Sequence, residues 1–396
     1  MCDTGDMLRD GVVDPCEHVA SGSVGPVAEI QPVHARSASL TRAEAIGQTF
    51  DPRRNALNLM RVGLACVVIL AHAWQIGGWE PRPHLGDIEL GAAAVAAFFA
   101  VSGFLITGSA VRLPFPSFLV RRFLRIYPAY LCAMLVTALV FAPASVLLFG
   151  ETRWDFAVAL QFVVSNLGLK IVTPDISGTL DDVPFPGSWN GVAWTLAYEF
   201  CCYILAGIIA VFRTRVRVVG SAGLLVVLSS AMALDHLGAV SIAHGIEIGL
   251  RPAACFVAGS MLFMLRDHVP DHRLLAAAAG AVVVGSAAIG VSDIVAPIPF
   301  AYLLIFAATH LRGKAIGSRN DVSYGLYLYG WPVGQLLAHV LRAPDTPPFV
   351  IAVVTVLLTL PFAWASWICV ERPAQGLGKR LMGRAPRSGS CATIDL

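Results

Sequence analysis

Residues 55–74 read NALNLMRVGLACVVILAHAW, an apolar run interrupted by only two ionisable side chains, Arg61 and His72. A helix needs roughly 20 predominantly apolar residues to cross the hydrocarbon core of a bilayer. The run has this length, so it predicts a membrane-spanning helix and, with it, an integral membrane protein.

The composition of the whole chain supports this class. Of the 396 residues, 56% are hydrophobic and only 14% are charged, whereas a soluble domain carries about 25% charged residues. The net charge of +2 provides no overall field that would attract nucleic acid. The nine cysteines show no CxxC pair and no zinc spacing, so we expect neither a disulfide framework nor a metal site.

Further apolar runs follow along the chain. They cover residues 88–108, 126–149, 191–212, 218–235, 244–265, 274–292, 295–311, 322–341 and 348–370. With the N-terminus inside, most flanking Lys and Arg residues fall on the cytoplasmic side. The exceptions are Arg82, Arg153, Lys170 and Arg342. Counting the short run 156–171 as another span would move Arg213, Arg215 and Arg217 outside. We therefore predict an all-α transmembrane helical bundle of about ten spans with both termini cytoplasmic.

Three segments lie outside the predicted spans. Residues 1–52 are mixed in composition and contain no signal peptide, which indicates a disordered cytoplasmic leader. Residues 150–190 form a long periplasmic loop in this topology, and their turn-rich, acidic end suits an entrance to a site. Residues 376–396 are predicted to be a basic cytoplasmic tail.

Arg61 and His72 are eleven positions apart on the first span. They project from nearly the same helix face, about 16 Å apart along the axis. Ionisable side chains at membrane depth cost several kcal/mol and are commonly functional. One interpretation makes His72 a general base and Arg61 an anchor for an anionic donor. The other makes Arg61 an interface anchor and His72 a hydrogen-bond partner of a neighbouring helix.

Glu199, in the segment WNGVAWTLAYEF, lies at nearly the same predicted depth as His72. A carboxylate beside an imidazole fixes its tautomer and raises its basicity, so we predict a contact between the two. A structural polar contact between helices is the alternative. A third polar feature is a possible ion pair between Glu247 and Arg251, four residues apart on one helix.

A basic cluster, Arg121, Arg122 and Arg125, occurs in SFLVRRFLRIYPAY. Arg122 and Arg125 are three positions apart, so they share a helix face and are suited to binding phosphate groups. The cluster is also explained by topology alone, because cytoplasmic loops are commonly basic.

Five segments of the chain occur in the order that is typical of acyltransferase family 3. Besides residues 55–74 they are AAFFAVSGFLITGSA at 96–110, SFLVRRFLRIYPAY at 117–130, WNGVAWTLAYEF at 189–200 and SYGLYLYGWPV at 323–333. Over roughly residues 53–375 the chain therefore resembles these membrane O-acyltransferases, which modify cell-surface glycans, lipid-linked sugars and some secondary metabolites.

The resemblance can be followed residue by residue. The family's Arg-x10-His pair falls on Arg61 and His72, and its WSLxxE signature ends at Glu199, with Thr195 in place of Ser. Its FFxxSGFLI and RRxxRIxPxY segments match residues 98–106 and 121–130. In its late SYxxYLxHWP segment, Gly330 replaces the usual His. This replacement argues against a catalytic histidine there and leaves space for an altered acceptor pocket.

The resemblance implies an acyl-CoA donor, usually acetyl-CoA, as a co-substrate and no bound cofactor. It also implies a carbohydrate or lipid-linked glycan acceptor and a multi-pass location in the lipid of the bacterial inner membrane. The site residues expected from it are His72 and Glu199 as catalytic residues, Arg61, Arg121, Arg122 and Arg125 for donor binding, and Ser102, Trp194, Tyr329 and Trp331 for substrate binding.

Two other functions stay open at this point. A transporter or flippase for a polar or lipid-linked substrate would also place Arg, His and Glu side chains within the membrane, although no internal repeat is evident. A family member without activity that serves as a scaffold is the second.

Overall fold

The apolar runs are helical in the computed structural model, which describes residues 44–52, 54–150, 153–313, 320–343 and 345–383, with the backbone alone for residue 149. The first 43 residues of the predicted leader and the end of the predicted tail from residue 384 lie outside the described residues. The basic residues Arg53, Lys314, Arg319, Arg384 and Arg387, which the prediction places on the cytoplasmic side, also lie outside the described residues.

The elements of the first half are α1 (Ile46–Thr49), α2 (Leu57–Ile76), β1 (His84–Leu85), β2 (Ile88–Glu89), α3 (Leu90–Ala110), α4 (Phe115–Val136), α5 (Ala142–Phe149) and α6 (Phe156–Ser165). The second half contains α7 (Thr195–Val211), α8 (Thr214–His236), α9 (His244–Met264), α10 (Arg273–Ala288), α11 (Ser292–Val295), α12 (Pro297–His310), α13 (Ser323–Val340), α14 (Pro348–Ser366) and α15 (Arg372–Leu381). β1 and β2 pair as a short antiparallel hairpin.

Six helical stretches of the described chain are long and apolar enough to cross a membrane. They are Leu57–Ile76, Leu90–Ala110, Phe115–Leu148, Thr214–His236, His244–Met264 and Pro348–Leu381. The remaining predicted spans coincide with α7, α10, α12 and α13, which are shorter or less apolar. The protein is thus a helical membrane protein, while the full count of about ten spans stays a prediction.

Two π-helical segments interrupt the longest helical stretches. Thr137–Phe141 connects α4 to α5, and Trp367–Glu371 connects α14 to α15. A π segment adds a residue to the helical turn and is frequent at functional sites. Here the second segment ends at Glu371, a carboxylate that is completely buried.

Close helix packing positions α3 beside α9. Gly103 of α3 lies against the backbone of Phe256, and Gly259 of α9 lies against the backbone of Ala100, so a Cβ atom at either glycine would collide with main-chain atoms. Small residues let helix backbones approach closely in membrane proteins. The tight α3–α9 contact fixes the helix that carries Ser102.

The predicted disordered leader extends too far, because residues 44–52 are folded. The backbone N–H of Ile46 donates to the carbonyl of Val269 at 2.9 Å, and Ile46 and Phe50 are both buried. Their i, i+4 spacing forms an apolar face that packs against the helices. At the other end, α15 continues to Leu381, so the predicted start of the tail at residue 376 falls within a helix.

Candidate functional site

A cavity with three arginines in its lining lies among α2, α3, α4, α7 and α13. Its empty volume is ≈ 830 Å³ including the part open to solvent, and its charged lining residues are Arg61, Arg122, Arg125 and Glu199. We call it the arginine cavity. The polar side chains Ser102, Thr195 and Ser323 and several aromatic and aliphatic side chains complete the lining.

Two carboxylates hold two of the arginines in place. Arg61 Nη1 lies 2.8 Å from Asp321 Oδ2, and the same oxygen contacts Arg125. Arg125 Nη1 also lies 3.3 Å from Glu371 Oε2, and Ser366 donates to the other Glu371 oxygen at 3.3 Å. Asp321 therefore joins α2 to α4, and Glu371 joins the end of the last predicted span to the same cluster.

Asp321 and Glu371 were missed by the sequence analysis. Burial alone would raise the pKa of Asp321, but Arg61 and Arg125 outweigh burial and hold that pKa well below its ordinary value. The available signals were weak: Asp321 lies two residues before the SYGLYLYGWPV segment, and Glu371 follows the last apolar run.

Arg122 and Arg121 occupy different places on α4. Arg122 lines the arginine cavity, and its Nη2 donates to the Ser109 hydroxyl at 2.8 Å. Arg121 Nη2 instead donates to the carbonyl of Gly383 at 2.6 Å, beyond α15, and Arg121 does not line the cavity. Successive residues on a helix point about 100° apart, so the structure brings Arg122 and Arg125 together and leaves Arg121 outside.

Glu199 belongs to the arginine cavity and does not contact His72. Its Oε1 accepts hydrogen bonds from Ser102 at 3.4 Å and from Tyr203, one turn further along α7. No hydrogen bond joins Glu199 to His72 in the described part of the chain, so the predicted contact is wrong. Two residues at equal predicted depth in the membrane can lie far apart laterally. Glu199 lies on the face of α7 that lines the arginine cavity, which does not include His72.

His72 lines a second, larger cavity, which we call the histidine cavity. Its empty volume is ≈ 1920 Å³, again including open space. His72 Nδ1 lies 3.3 Å from Gln75 Oε1. Because an amide oxygen can only accept, Nδ1 carries the proton. Nε2 is then the basic nitrogen, and it has no hydrogen-bond partner among the described residues.

The aromatic residues predicted to bind substrate are placed unequally. Trp194 lines the histidine cavity, and the Trp331 ring meets the His72 ring edge-on with centroids 4.9 Å apart. Trp331 Nε1 donates to the carbonyl of Ser188 at 2.9 Å. Tyr329 is 2% exposed and its hydroxyl lies 3.6 Å from Cys132 Sγ. Tyr329 lines neither cavity, so it packs in the protein interior.

Gly330 does not open an acceptor pocket. A Cβ atom at this position would lie 2.6 Å from Ile69 Cγ1, so the Ile69 side chain occupies the space that the missing side chain leaves. Both residues line a small cavity of ≈ 300 Å³ with His72. The prediction that Gly330 leaves space for an altered acceptor pocket is therefore wrong, because α13 packs closely against α2 at this position.

The predicted pairing of Glu247 with Arg251 is also wrong. Arg251 forms its ion pair with Asp293 of α11, and Glu247 contacts His244 instead, with 3.3 Å between Nδ1 and Oε2. All four residues line the histidine cavity. Asp293 competes successfully because it reaches Arg251 from a neighbouring helix, a contact that spacing along α9 cannot reveal.

The end of the 150–190 segment is attached to α13 beside the histidine cavity. Gln335 Nε2 donates to the carbonyls of Phe185 and Ser188, at 3.0 Å each. Asn190 Nδ2 donates to Leu328 at 3.2 Å, while its Oδ1 accepts from the backbone N–H groups of Val192 and Ala193 before α7. Gly191 and Val192, which follow this segment, line the cavity, and the role of residues 150–190 as an entrance stays a prediction.

The two cavities meet at a shared wall made of Val95, Thr195 and Tyr327, which line both. Within the described residues no three His, Cys, Asp or Glu side chains come together to hold a metal ion. The site therefore consists of a cavity lined by three arginines and a cavity lined by His72, and these three residues border both.

Comparison with known proteins gives a consistent result. The model of an acyltransferase domain family matches residues 54–368. An O-acetyl transferase of Shigella phage Sf6 is 26% identical over 329 residues, which cover 79% of this chain and 94% of that protein. Nodulation protein 10 of Rhizobium leguminosarum bv. viciae is 28% identical over 367 residues, which cover 84% of this chain and 96% of that protein. No solved structure matches the chain significantly.

Proposed function

Because the chain belongs to acyltransferase family 3 and is an O-acyltransferase that transfers groups other than aminoacyl groups, we propose that its donor is acyl-CoA and its acceptor a carbohydrate or lipid-linked sugar. The observation that carries this proposal is the separation of Arg61 and His72, on one helix, into two cavities with a common wall. A donor held in one cavity can then meet an acceptor held in the other.

The arginine cavity suits the donor. CoA carries several phosphate charges, and guanidinium groups bind phosphate through paired, charge-assisted hydrogen bonds. Arg61 and Arg125 are already paired with carboxylates, whereas Arg122 has only the Ser109 hydroxyl as its hydrogen-bond partner in the described chain. Arg122 is thus the cation that remains available for a phosphate group, and Arg61 and Arg125 shape the cavity around it.

The histidine cavity suits the acceptor. His72 Nε2 accepts the proton of an acceptor hydroxyl while the hydroxyl oxygen attacks the carbonyl carbon of the thioester. A new C–O bond forms, the C–S bond breaks, and the proton passes from His72 to the departing thiolate. The products are the O-acylated acceptor and free CoA thiol, so atoms and charge balance.

Glu199 takes a role on the donor side in this scheme. Its carboxylate lines the arginine cavity and is held by Ser102 and Tyr203. A carboxylate in this position can accept hydrogen bonds from the amide N–H groups of the pantetheine arm. We therefore propose that Glu199 orients the donor and does not act on His72.

We further propose ten spans, cytoplasmic termini and residence in the bacterial inner membrane. The Lys and Arg residues that flank the helices support this orientation. It places the arginine cavity toward the cytoplasm, where acyl-CoA is available, and the histidine cavity toward the periplasm, where a surface glycan is assembled. An enzyme rather than a transporter or an inactive scaffold is favoured by the family and by the basic nitrogen of His72 in the acceptor cavity.

The experiment is acetyl transfer from labelled acetyl-CoA to sugar acceptors by the full chain in membranes. His72→Ala is expected to lower kcat by about 10²–10⁴-fold, the usual contribution of a general base, while acetyl-CoA binding persists. His236→Ala is the matched control, because His236 is an exposed histidine of the same cavity. Full activity of His72→Ala would remove His72 from the mechanism.

A further inference from the structure

The wall between the two cavities is built by one residue from each of three helices. Val95 belongs to α3, Thr195 begins α7 and Tyr327 lies in α13. They are the three described residues that line both cavities. We therefore expect a group that passes from a donor in the arginine cavity to an acceptor beside His72 to pass these side chains.

Two members of the wall are fixed by hydrogen bonds. The Tyr327 hydroxyl lies 2.6 Å from Thr195 Oγ1 and donates to the carbonyl of Val192 at 2.9 Å. The Tyr327 ring also meets the ring of Phe98, with centroids 6.0 Å apart. These contacts tie α13 to the start of α7, so the polar side of the wall has a defined position.

Val95 is the apolar member and has no polar group that could anchor it. Its side chain is partly buried and packs against the main hydrophobic core. Its size can therefore be changed without breaking a hydrogen bond of the wall. A substitution of Val95 can therefore change the space at the wall between the two cavities.

The structure of acyl-CoA determines which part of the donor contacts the wall first. The charged part of CoA is held at the arginines, and the thioester lies at the far end of the pantetheine arm. The acyl chain extends beyond the carbonyl carbon, so it is the leading part as the thioester approaches the wall. Each additional methylene must then fit against Val95, Thr195 and Tyr327.

We propose that the wall of Val95, Thr195 and Tyr327 restricts the transferred group to short acyl chains, with Val95 as the determinant of chain length. This inference rests on the proposed acyl-CoA donor. One methylene in an apolar pocket commonly changes kcat/KM by about 10–200-fold. The wild-type protein is therefore expected to prefer acetyl-CoA to butyryl-CoA by at least about tenfold.

The test measures kcat/KM for acetyl-, butyryl- and hexanoyl-CoA with one sugar acceptor and the full chain in lipid nanodiscs. Val95→Ala removes two carbon atoms from the wall and should raise the butyryl-to-acetyl ratio about tenfold or more. Val95→Ile adds one carbon and should lower it.

The control is Val136→Ala, a partly buried valine that packs against the same core and lines neither cavity. A ratio between two donors in one sample is independent of the fraction of folded protein, so a merely structural effect does not change it. If Val95→Ala and Val136→Ala give the same ratio, the inference is overturned while the acyl-CoA donor stands. If the wild type transfers no acyl group from any acyl-CoA, the proposed function fails as well.

Discussion

The Asp321 carboxylate joins two arginines from different helices, because its Oδ2 lies 2.8 Å from Arg61 Nη1 and also contacts Arg125. Its other oxygen accepts a hydrogen bond from Ser323 at 2.6 Å, at the start of α13. One side chain thus connects α2, α4 and α13 around the arginine cavity. Asp321 therefore holds in place two of the arginines that line that cavity.

Asp321→Asn is expected to destabilise the protein by about 3–5 kcal/mol, because it removes one partner of a buried ion cluster and leaves two arginines less compensated. The KM for acyl-CoA should rise as well. Equilibrium unfolding in detergent and donor titration measure the two effects. Ser323→Ala is the control, since it removes one neutral donor to the carboxylate, and it should cost about 1.5–3 kcal/mol, as for other hydrogen bonds to charged groups. Equal stability of the two variants would contradict the bridging role.

The stability contributed by Asp321 should be constant across the physiological pH range. Arg61 and Arg125 outweigh the effect of burial and hold the pKa of Asp321 well below its ordinary value. A carboxyl group with a lowered folded pKa stabilises the protein above the unfolded pKa of about 3.9 and loses that effect as the pH falls toward the folded pKa. The stability difference between wild type and Asp321→Asn should be flat from about pH 8 to pH 5 and shrink below about pH 4. A steady decline of this stability difference between about pH 8 and pH 6 would show that a titratable group other than Asp321 is responsible.

Arg122 and Arg121 are adjacent in sequence and should behave differently. Arg122→Ala is expected to raise the KM for acyl-CoA by about 10–100-fold, since hydrogen bonds to charged groups contribute about 1.5–3 kcal/mol, and the effect should weaken with salt. Arg121→Ala serves as the matched control, because Arg121 donates to Gly383 and does not line the cavity. Steady-state kinetics at two ionic strengths measure the KM for acyl-CoA of both variants. An equal rise in KM for both would indicate that the two arginines serve only the membrane topology.

In the proposed mechanism, Gln75 acts as a positioning residue for His72. Gln75→Leu removes the acceptor from Nδ1 at 3.3 Å, so the tautomer with a basic Nε2 is no longer favoured. We expect kcat to fall about tenfold or more while the KM for acyl-CoA stays constant, because Gln75 lines the histidine cavity alone. Gln75→Glu keeps an acceptor oxygen and should retain most of the activity. A change confined to KM would contradict this role.

The sequence predicted the helices well and the contacts between them less well. Membrane-crossing helices need long apolar runs, so α2, α3 and α9 follow directly from composition. The axial rise of a helix also predicted the separation of Arg61 from His72, which line different cavities. Asp321 escaped prediction because a single carboxylate outside an apolar run has no periodic pattern. The Glu199–His72 contact failed because depth along two helices says nothing of the lateral distance between them.

A glycine at position 330 is expected to be needed for the close approach of α13 to α2 beside His72. Gly330→Ala would place a Cβ atom 2.6 Å from Ile69 Cγ1, and overpacking of this kind costs about 1–3 kcal/mol. In an Ile69→Ala background the obstructing atoms are gone, so the loss caused by Gly330→Ala should largely disappear, which a double-mutant cycle measures. Gly280→Ala in α10 is the control, because nothing lies within 4 Å of a Cβ there, and an alanine in a helix interior is then neutral or stabilising. Additive losses for Ile69→Ala and Gly330→Ala would show that the two side chains do not compete for one space.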